Sequence, residues 1–278
     1  MKTENKTVVV SYLYTDGMKY LDTFVQTIAN QDYREFDVLL FLDDVAVKDM
    51  QRIKTISLSG NSPVQIRFKS IDILKKMNYQ NIIFCDIDDT FSTNRIRVTE
   101  HYLEQYPVVC NDLNIISSEN KILNTNIWSK RLGSEFIFDK NFLVDKNIVG
   151  FGNTGIRREL LHNKIIESDT PIAADWFIFY QLLETDTKCM FTQKCQTNYR
   201  QHNDNTAGIG NYSKDQILKK IHIMRAHYQA LMEIGNTEYT DWLNRTNYLI
   251  SNINNFTFIK PNNELFWWEE TEYLYENN

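Results

Sequence analysis

Short apolar runs alternate with segments of helical periodicity through the first hundred residues, and that alternation most narrows the folds open to this chain. It is the pattern of repeated βαβ units and a mainly parallel sheet. Four strands are expected. Thr7 to Leu13 is a β-branched run, and Phe36 to Leu42 is apolar but for Asp37, as a strand covered on both faces should largely be. Val64 to Phe68 alternates, and Asn81 to Cys85 runs straight into acid. Stripes at Met18, Leu21, Val25 and Ile28, more weakly at Met50, Ile53 and Ser57, and from Ile71 and Leu74 predict the helices between them. In the common doubly wound order the first and fourth strands are neighbours, and ligands bind beyond their carboxyl ends.

A chain of 278 residues suits one large domain or a domain with an appendage. Only 9 Gly and 4 Pro beside 42% hydrophobic residues exclude disordered and collagenous classes. The net charge of -6 and the lack of a dense basic run argue against nucleic acid as a partner. No apolar stretch approaches the roughly 18 residues of a membrane span, and Met1 to Thr7 is polar, so a cytoplasmic protein is expected. Cys85, Cys110, Cys189 and Cys195 have no C-x-x-C spacing and read as reduced, mostly buried thiols.

After a helix near Asn94 to Tyr106 the chain turns β-rich and polar, with a basic stretch at Lys130 and Arg131. Ile156, Leu160 and Leu161 predict one helix, and Trp176, Phe179, Tyr180 and Leu183 another that starts at Asp175. From Ser213 two long helical segments follow, the first striped by Ile217, Ile221, Met224, Tyr228 and Leu231, and then an aromatic tail at Phe266, Trp267 and Trp268. The acids beside that tail, Glu269, Glu270, Glu272 and Glu276, favour internal docking or self-association over peripheral attachment to an anionic membrane.

The most informative string is Ile82-Ile83-Phe84-Cys85-Asp86-Ile87-Asp88-Asp89-Thr90, a buried strand that delivers clustered carboxylates to the ligand edge of the sheet. Unpaired, such acids repel; a hard cation, Mg²⁺ or Mn²⁺, removes the repulsion and leaves coordination positions for a diphosphate. The competing structural reading is an Asp-rich turn that caps the next helix at Asn94, although a cap needs one acid rather than three.

Asp-Ile-Asp-Asp-Thr resembles the first motif of haloacid dehalogenase-type phosphatases, which implies Asp86 as nucleophile. In that family the motif usually ends the first strand, whereas three strands precede it here. A longer ordered set resembles family 2 glycosyltransferases of the GT-A fold. It runs from Asn30-Gln31-Asp32-Tyr33 through Leu42-Asp43-Asp44, the D-x-D-like Asp86-Ile87-Asp88, Gly152-Asn153-Thr154-Gly155 and Asp175-Trp176 to Tyr199-Arg200-Gln201-His202-Asn203. Strand 1 ends in Tyr14-Thr15-Asp16 where that family commonly has a Pro-containing turn, and Asp44 is followed by Val45-Ala46 instead of Gly-Ser.

The resemblance implies an α/β, GT-A type Rossmann-like nucleotide-sugar-binding sheet over residues 1–211, with a helical C-terminal extension over 212–278. It implies transfer of a sugar from a nucleoside diphosphate sugar to a glycan or other hydroxyl acceptor, in the setting of polysaccharide biosynthesis, with inversion and with Mn²⁺ or Mg²⁺ as cofactor. Asp175 matches the family's general base, and its competing role is a first-turn acid favoured by the helix dipole. Asp86, Asp88 and Asp89 are the expected metal ligands, with His202 completing the set as in some relatives. Asp16 and Asp43 fall where the family contacts the nucleoside, while Asp86 and Arg200 are expected at the diphosphate, with Lys130 and Arg131 as further basic candidates. A non-catalytic nucleotide-sugar binder would keep the same acidic crevice.

Overall fold

The computed structural model describes residues 5–48, 50, 53–201, 212–260 and 265–277. Its first strand, β1 (Thr7–Leu13), is buried along its whole length, as expected of a run covered on both faces. Val8, Val10 and Tyr12 join one core with Leu39 and Phe41, while Val9 and Leu13 join a second with Leu40 and Ile83. A 3-10 turn over Thr15–Tyr20 leads into α1 (Leu21–Ala29), which lays Phe24 and Ile28 on the second core. β2 (Phe36–Leu42) then pairs parallel to β1.

The next two elements differ from the expected pattern. Ile53, read as part of a weak helical stripe, begins β3 (Ile53–Ser57), which extends the sheet parallel to β2. Its β-branched residues Ile53, Thr55 and Ile56 fit a pleated surface. Val64–Phe68, read as a strand, lies in α2 (Pro63–Lys76). The cause is local: Ser62 accepts from Gln65 N, Gln65 accepts from Ser62 N, and Pro63 supplies the first helical φ.

β4 (Asn81–Phe84) pairs with β1, the neighbour predicted by the doubly wound order. β5 (Thr90–Phe91), α3 (Arg95–Leu103), β6 (Val108–Ile116), β7 (Ile122–Asn124), the single turn α4 (Ser129–Leu132) and β8 (Glu135–Phe138) follow. The helix expected around Ile156 is instead β9 (Thr154–Arg157), antiparallel between β4 and β6, followed by a 3-10 turn over Arg158–His162. Ile156 alone of that apolar set points into the sheet, and Leu160 and Leu161 bury from the turn. α5 (Ala174–Leu182) and β10 (Cys189–Arg200) complete a sheet of order β3-β2-β1-β4-β9-β6-β10-β5.

The later segment is helical as expected: α6 (Lys214–Glu233), capped by Ser213, and α7 (Thr240–Asn252), followed by a hairpin of β11 (Phe256–Phe258) and β12 (Leu274–Glu276). α6 shares a core with the sheet layer, because Ile223, Met224, Tyr228 and Leu231 cluster with Trp176 and Phe177. His227 stacks on Trp176 with ring centres 3.7 Å apart. All four cysteines are free and buried. Among the described residues no helix is long and apolar enough to cross a membrane.

Candidate active site

The β4 backbone carries the acids to the edge of the sheet. Cys85 N donates to Val10 O at 2.9 Å, so the strand is tied to β1 up to the residue before Asp86. The chain then turns, with Asp89 N donating to Asp86 O at 3.3 Å. Beneath this turn the fully buried Arg95 donates to Phe84 O at 2.7 Å and to Asn111 Oδ1 at 2.9 Å. From the end of β10, Arg200 N donates to Asp89 Oδ1 at 2.8 Å and its Nε to Asp88 O at 2.6 Å. The same guanidinium reaches Ser117 O, Ser118 O and Asn120 Oδ1. Arg200 is thereby a strut that fixes the acid turn against the loop after β6.

The facing wall is the loop from Asn147 to Asn153. Asn153 shapes it: Oδ1 accepts from Gly150 N at 2.8 Å, and Nδ2 donates to Asn111 O and Ile148 O at 3.0 Å each. Gly152 O accepts from Thr197 Oγ1 at 3.0 Å. The absence of a side chain at residue 152 matters, since a Cβ there would lie 2.8 Å from Asp86 Oδ2 and 3.1 Å from Asp89 Oδ2. On its other side, a Cβ on Gly150 would lie 3.5 Å from Asp175 Oδ2. One short loop thus touches the β4 acids and Asp175, which stands in the first turn of α5 and accepts from Trp176 N at 2.7 Å.

Asp86, Asp88, Asp89 and Asp175 line a single cavity of about 390 Å³, a volume suited to a small ligand. Arg67 from α2 lies on its floor, stacked 3.4 Å over Tyr12 and 3.5 Å from Asp86 Oδ1. Burial pushes the Asp86 carboxyl up to about 6; Arg67 opposes the shift, and Asp88 and Asp175 add to it. The Asp86 side chain is still 31% open, so its charged form is not shut off from water. Asp89 is held well above the ordinary carboxylate range by burial and then by Asp88 and Asp86. Burial likewise raises Asp175, against the Trp176 N–H and Arg67. Burial works against the charge of Arg67, but Tyr14, Tyr12, Asp86 and Asp175 together hold its pKa above the usual value.

These acids fit a divalent cation on a specific ground: Asp89 Oδ2 is buried without a hydrogen-bond partner, beside Asp86 at the side-chain-free Gly152. Among the described residues no three His, Cys, Asp or Glu side chains converge closely enough to enclose a metal alone. One or two carboxylates with substrate phosphate oxygens completing the shell is the usual arrangement for Mg²⁺.

His202 lies outside the described residues. Asp16 is exposed on the turn after β1, and Asp43 is half-buried at the end of β2, with its N–H bonded to Leu13 O; neither lines the cavity, nor does Arg200. Lys130 reaches Asn124 and Arg131 reaches Glu269, and neither lines the cavity. Sequence reasoning missed Arg67, because its segment was taken for a strand. It also missed Asn147 and placed the aromatic tail only generally; Leu265 to Trp268 line the cavity.

No family model matches the chain, and no curated protein is similar to it in sequence. Solved structures are similar in fold. S. aureus TarS 1-349 superposes with a TM-score of 0.60 at 13% identity, over 90% of this chain and 73% of that one. The same protein in complex with UDP-GlcNAc gives 0.59 at 13% identity, over 90% and 74% of the two chains. GalNAc-T7 with UDP, GalNAc and Mn²⁺ gives 0.53 at 12% identity, over 91% of this chain and 58% of that one. The chain therefore has the fold of the GT-A nucleotide-diphospho-sugar transferases.

Proposed function

We propose that this protein is a metal-dependent glycosyltransferase that moves a sugar from a nucleoside diphosphate sugar to an acceptor hydroxyl with inversion. The observation that carries the reading is the shared cavity, with the acids of the β4 turn on one side of the 150–153 loop and Asp175 on the other. Asp86 and Asp88 would hold Mn²⁺ or Mg²⁺ with Asp89 beside them, and the ion when bound would act as a Lewis acid toward the departing diphosphate. The neighbours bound to UDP, UDP-GlcNAc and Mn²⁺ support this choice of ligand class.

Asp175 takes the acceptor proton as the hydroxyl oxygen attacks the anomeric carbon and the sugar–phosphate bond breaks. Burial raises its pKa, which makes its carboxylate a stronger base. A single displacement assisted by one base inverts the anomeric centre. Arg67 balances the charge of Asp86 and Asp175, and Arg95 and Arg200 brace the acid turn; all three are positioning residues. Asp16, on the turn after β1, and Asp43, at the end of β2, would face the nucleoside.

The test is incubation with UDP-, GDP- and dTDP-sugars plus Mn²⁺, with released nucleoside diphosphate measured. Slow hydrolysis of one donor that depends on Mn²⁺ supports the reading. Absence of both hydrolysis and nucleotide binding across the panel rejects it.

A further inference from the structure

Resting on that reading, we infer that the strap Leu265–Trp268 forms the acceptor subsite and that it takes the apolar face of a pyranose ring in a glycan. The strap lies on the Asp175 side of the cavity, since Trp267 packs edge-on against Trp176, the residue after the base, with ring centres 5.8 Å apart at 86°. Together with Trp128 its aromatic residues wall the same space that the acids line. Sugar rings present C–H faces that pack on such rings, and hydroxyls at their edges that accept from an indole N–H.

Trp268 carries the unmet group. It is 4% exposed, lines the cavity, and its Nε1–H is buried without a hydrogen-bond partner. A buried donor of this kind is costly unless something accepts from it, and a bound hydroxyl would once a small turn of the indole on the anchored strap uncovers the N–H.

The strap is also built to stay in place. Arg131 donates to both oxygens of Glu269 at 2.6 and 3.1 Å and lies 4.4 Å over Phe266, while Phe266 N donates to Glu269 Oε2 at 3.1 Å. On its other flank Lys220 and Glu270 meet at 2.6 Å, both almost fully buried. A rigid aromatic wall reduces the ordering cost of binding a sugar.

The donor's own pyranose is the other source of the same chemistry, and the test separates the two. Isothermal titration would use methyl β-glucopyranoside, N-acetylglucosamine and β-linked disaccharides of each, with UDP and Mn²⁺ present, and in parallel the UDP-hexoses without saccharide. We expect saturable saccharide binding that Trp268→Phe weakens about five-fold, the value of one neutral hydrogen bond with the ring retained. Trp268→Ala should weaken it more than about ten-fold. Phe at this position keeps an aromatic ring in the wall, and a thermal melt verifies that the first variant is folded. Saccharide affinity equal to wild type in both variants overturns the inference, as does a wild type that binds UDP but no saccharide. Weakening of UDP-hexose binding alone assigns the wall to the donor sugar and overturns it too. A wild type that binds saccharide but no UDP would leave the strap standing and defeat the nucleotide-sugar reading.

Discussion

Substituting Gly152 by Ala places a methyl group against Asp86, a proposed cation ligand, and Asp89 beside it. The new Cβ would lie 2.8 Å from Asp86 Oδ2, and ordinary contact begins at 3.4 Å, so that oxygen must retreat by about 0.6 Å. Retreat is resisted: Arg67 stands 3.5 Å from the other oxygen of Asp86, and Arg200 N holds Asp89 Oδ1 at 2.8 Å. Gly152 O is itself held by Thr197, so the loop cannot simply back away. Misplacement approaching 1 Å at a reacting centre costs about 10²-fold in rate, so a loss between about ten-fold and 10²-fold in turnover is expected. Mn²⁺ affinity should fall by a comparable factor, and overpacking should cost about 1–3 kcal/mol of stability. Gly235→Ala is the matched control, because residue 235 has φ +99° with nothing within 4 Å of an added Cβ. It pays only backbone strain of about 1–2 kcal/mol. Calorimetric Mn²⁺ titration with UDP present, alongside donor turnover, reads the difference. Wild-type Mn²⁺ affinity and turnover in Gly152→Ala would refute a cation held by Asp86 with Asp89 beside it.

Asp175→Asn should lower turnover by about 10²–10⁴-fold while UDP affinity changes little, and retained turnover would remove Asp175 as the base. Asp86→Ala should abolish Mn²⁺-dependent UDP binding in calorimetry, and unchanged Mn²⁺ dependence would move the metal elsewhere. His227 is buried against Trp176, and burial depresses its pKa to about 3. The unfolded chain therefore binds the extra proton first, so stability present above about pH 6.5 is lost at about 1.4 kcal/mol per unit as pH falls toward 3. Denaturant melts of His227→Phe should show a shallower slope over that window, and an identical slope would refute the assignment. Lys220→Met should destabilise by about 3–5 kcal/mol because Glu270 is left buried and unpaired, and adding Glu270→Leu should recover most of it. Equal stability of the single and double variants would show that the pair is not coupled.

The parts of this protein that the amino-acid order determined by itself are those where one short-range signal acts alone. β1 and β2 were legible because a short, mostly apolar run rich in β-branched or aromatic residues favours a strand buried on both faces, and the acid turn because the apolar run gives way to acids at Asp86. α6 was legible from its stripe, and the start of α5 near Asp175 from the apolar residues that follow it, whereas Asp175 itself was singled out only by resemblance. Where two signals competed, the weaker was followed. The Ser62-Pro63-Val64-Gln65 capping box overrides the alternation of Val64 to Phe68, and with it went Arg67, whose approach to Asp86 requires a helix. β9 could not be read at all, since a four-residue strand is stabilised by β4 and β6 on either side and not by its own propensity. Tertiary structure alone decided that Gly150 and Gly152 bring the β4 acids and Asp175 to one loop, and that Trp267 and Trp268 close over them. Those contacts join residues from about 25 to about 180 positions apart, and at such separation packing, not local preference, determines which side chains meet.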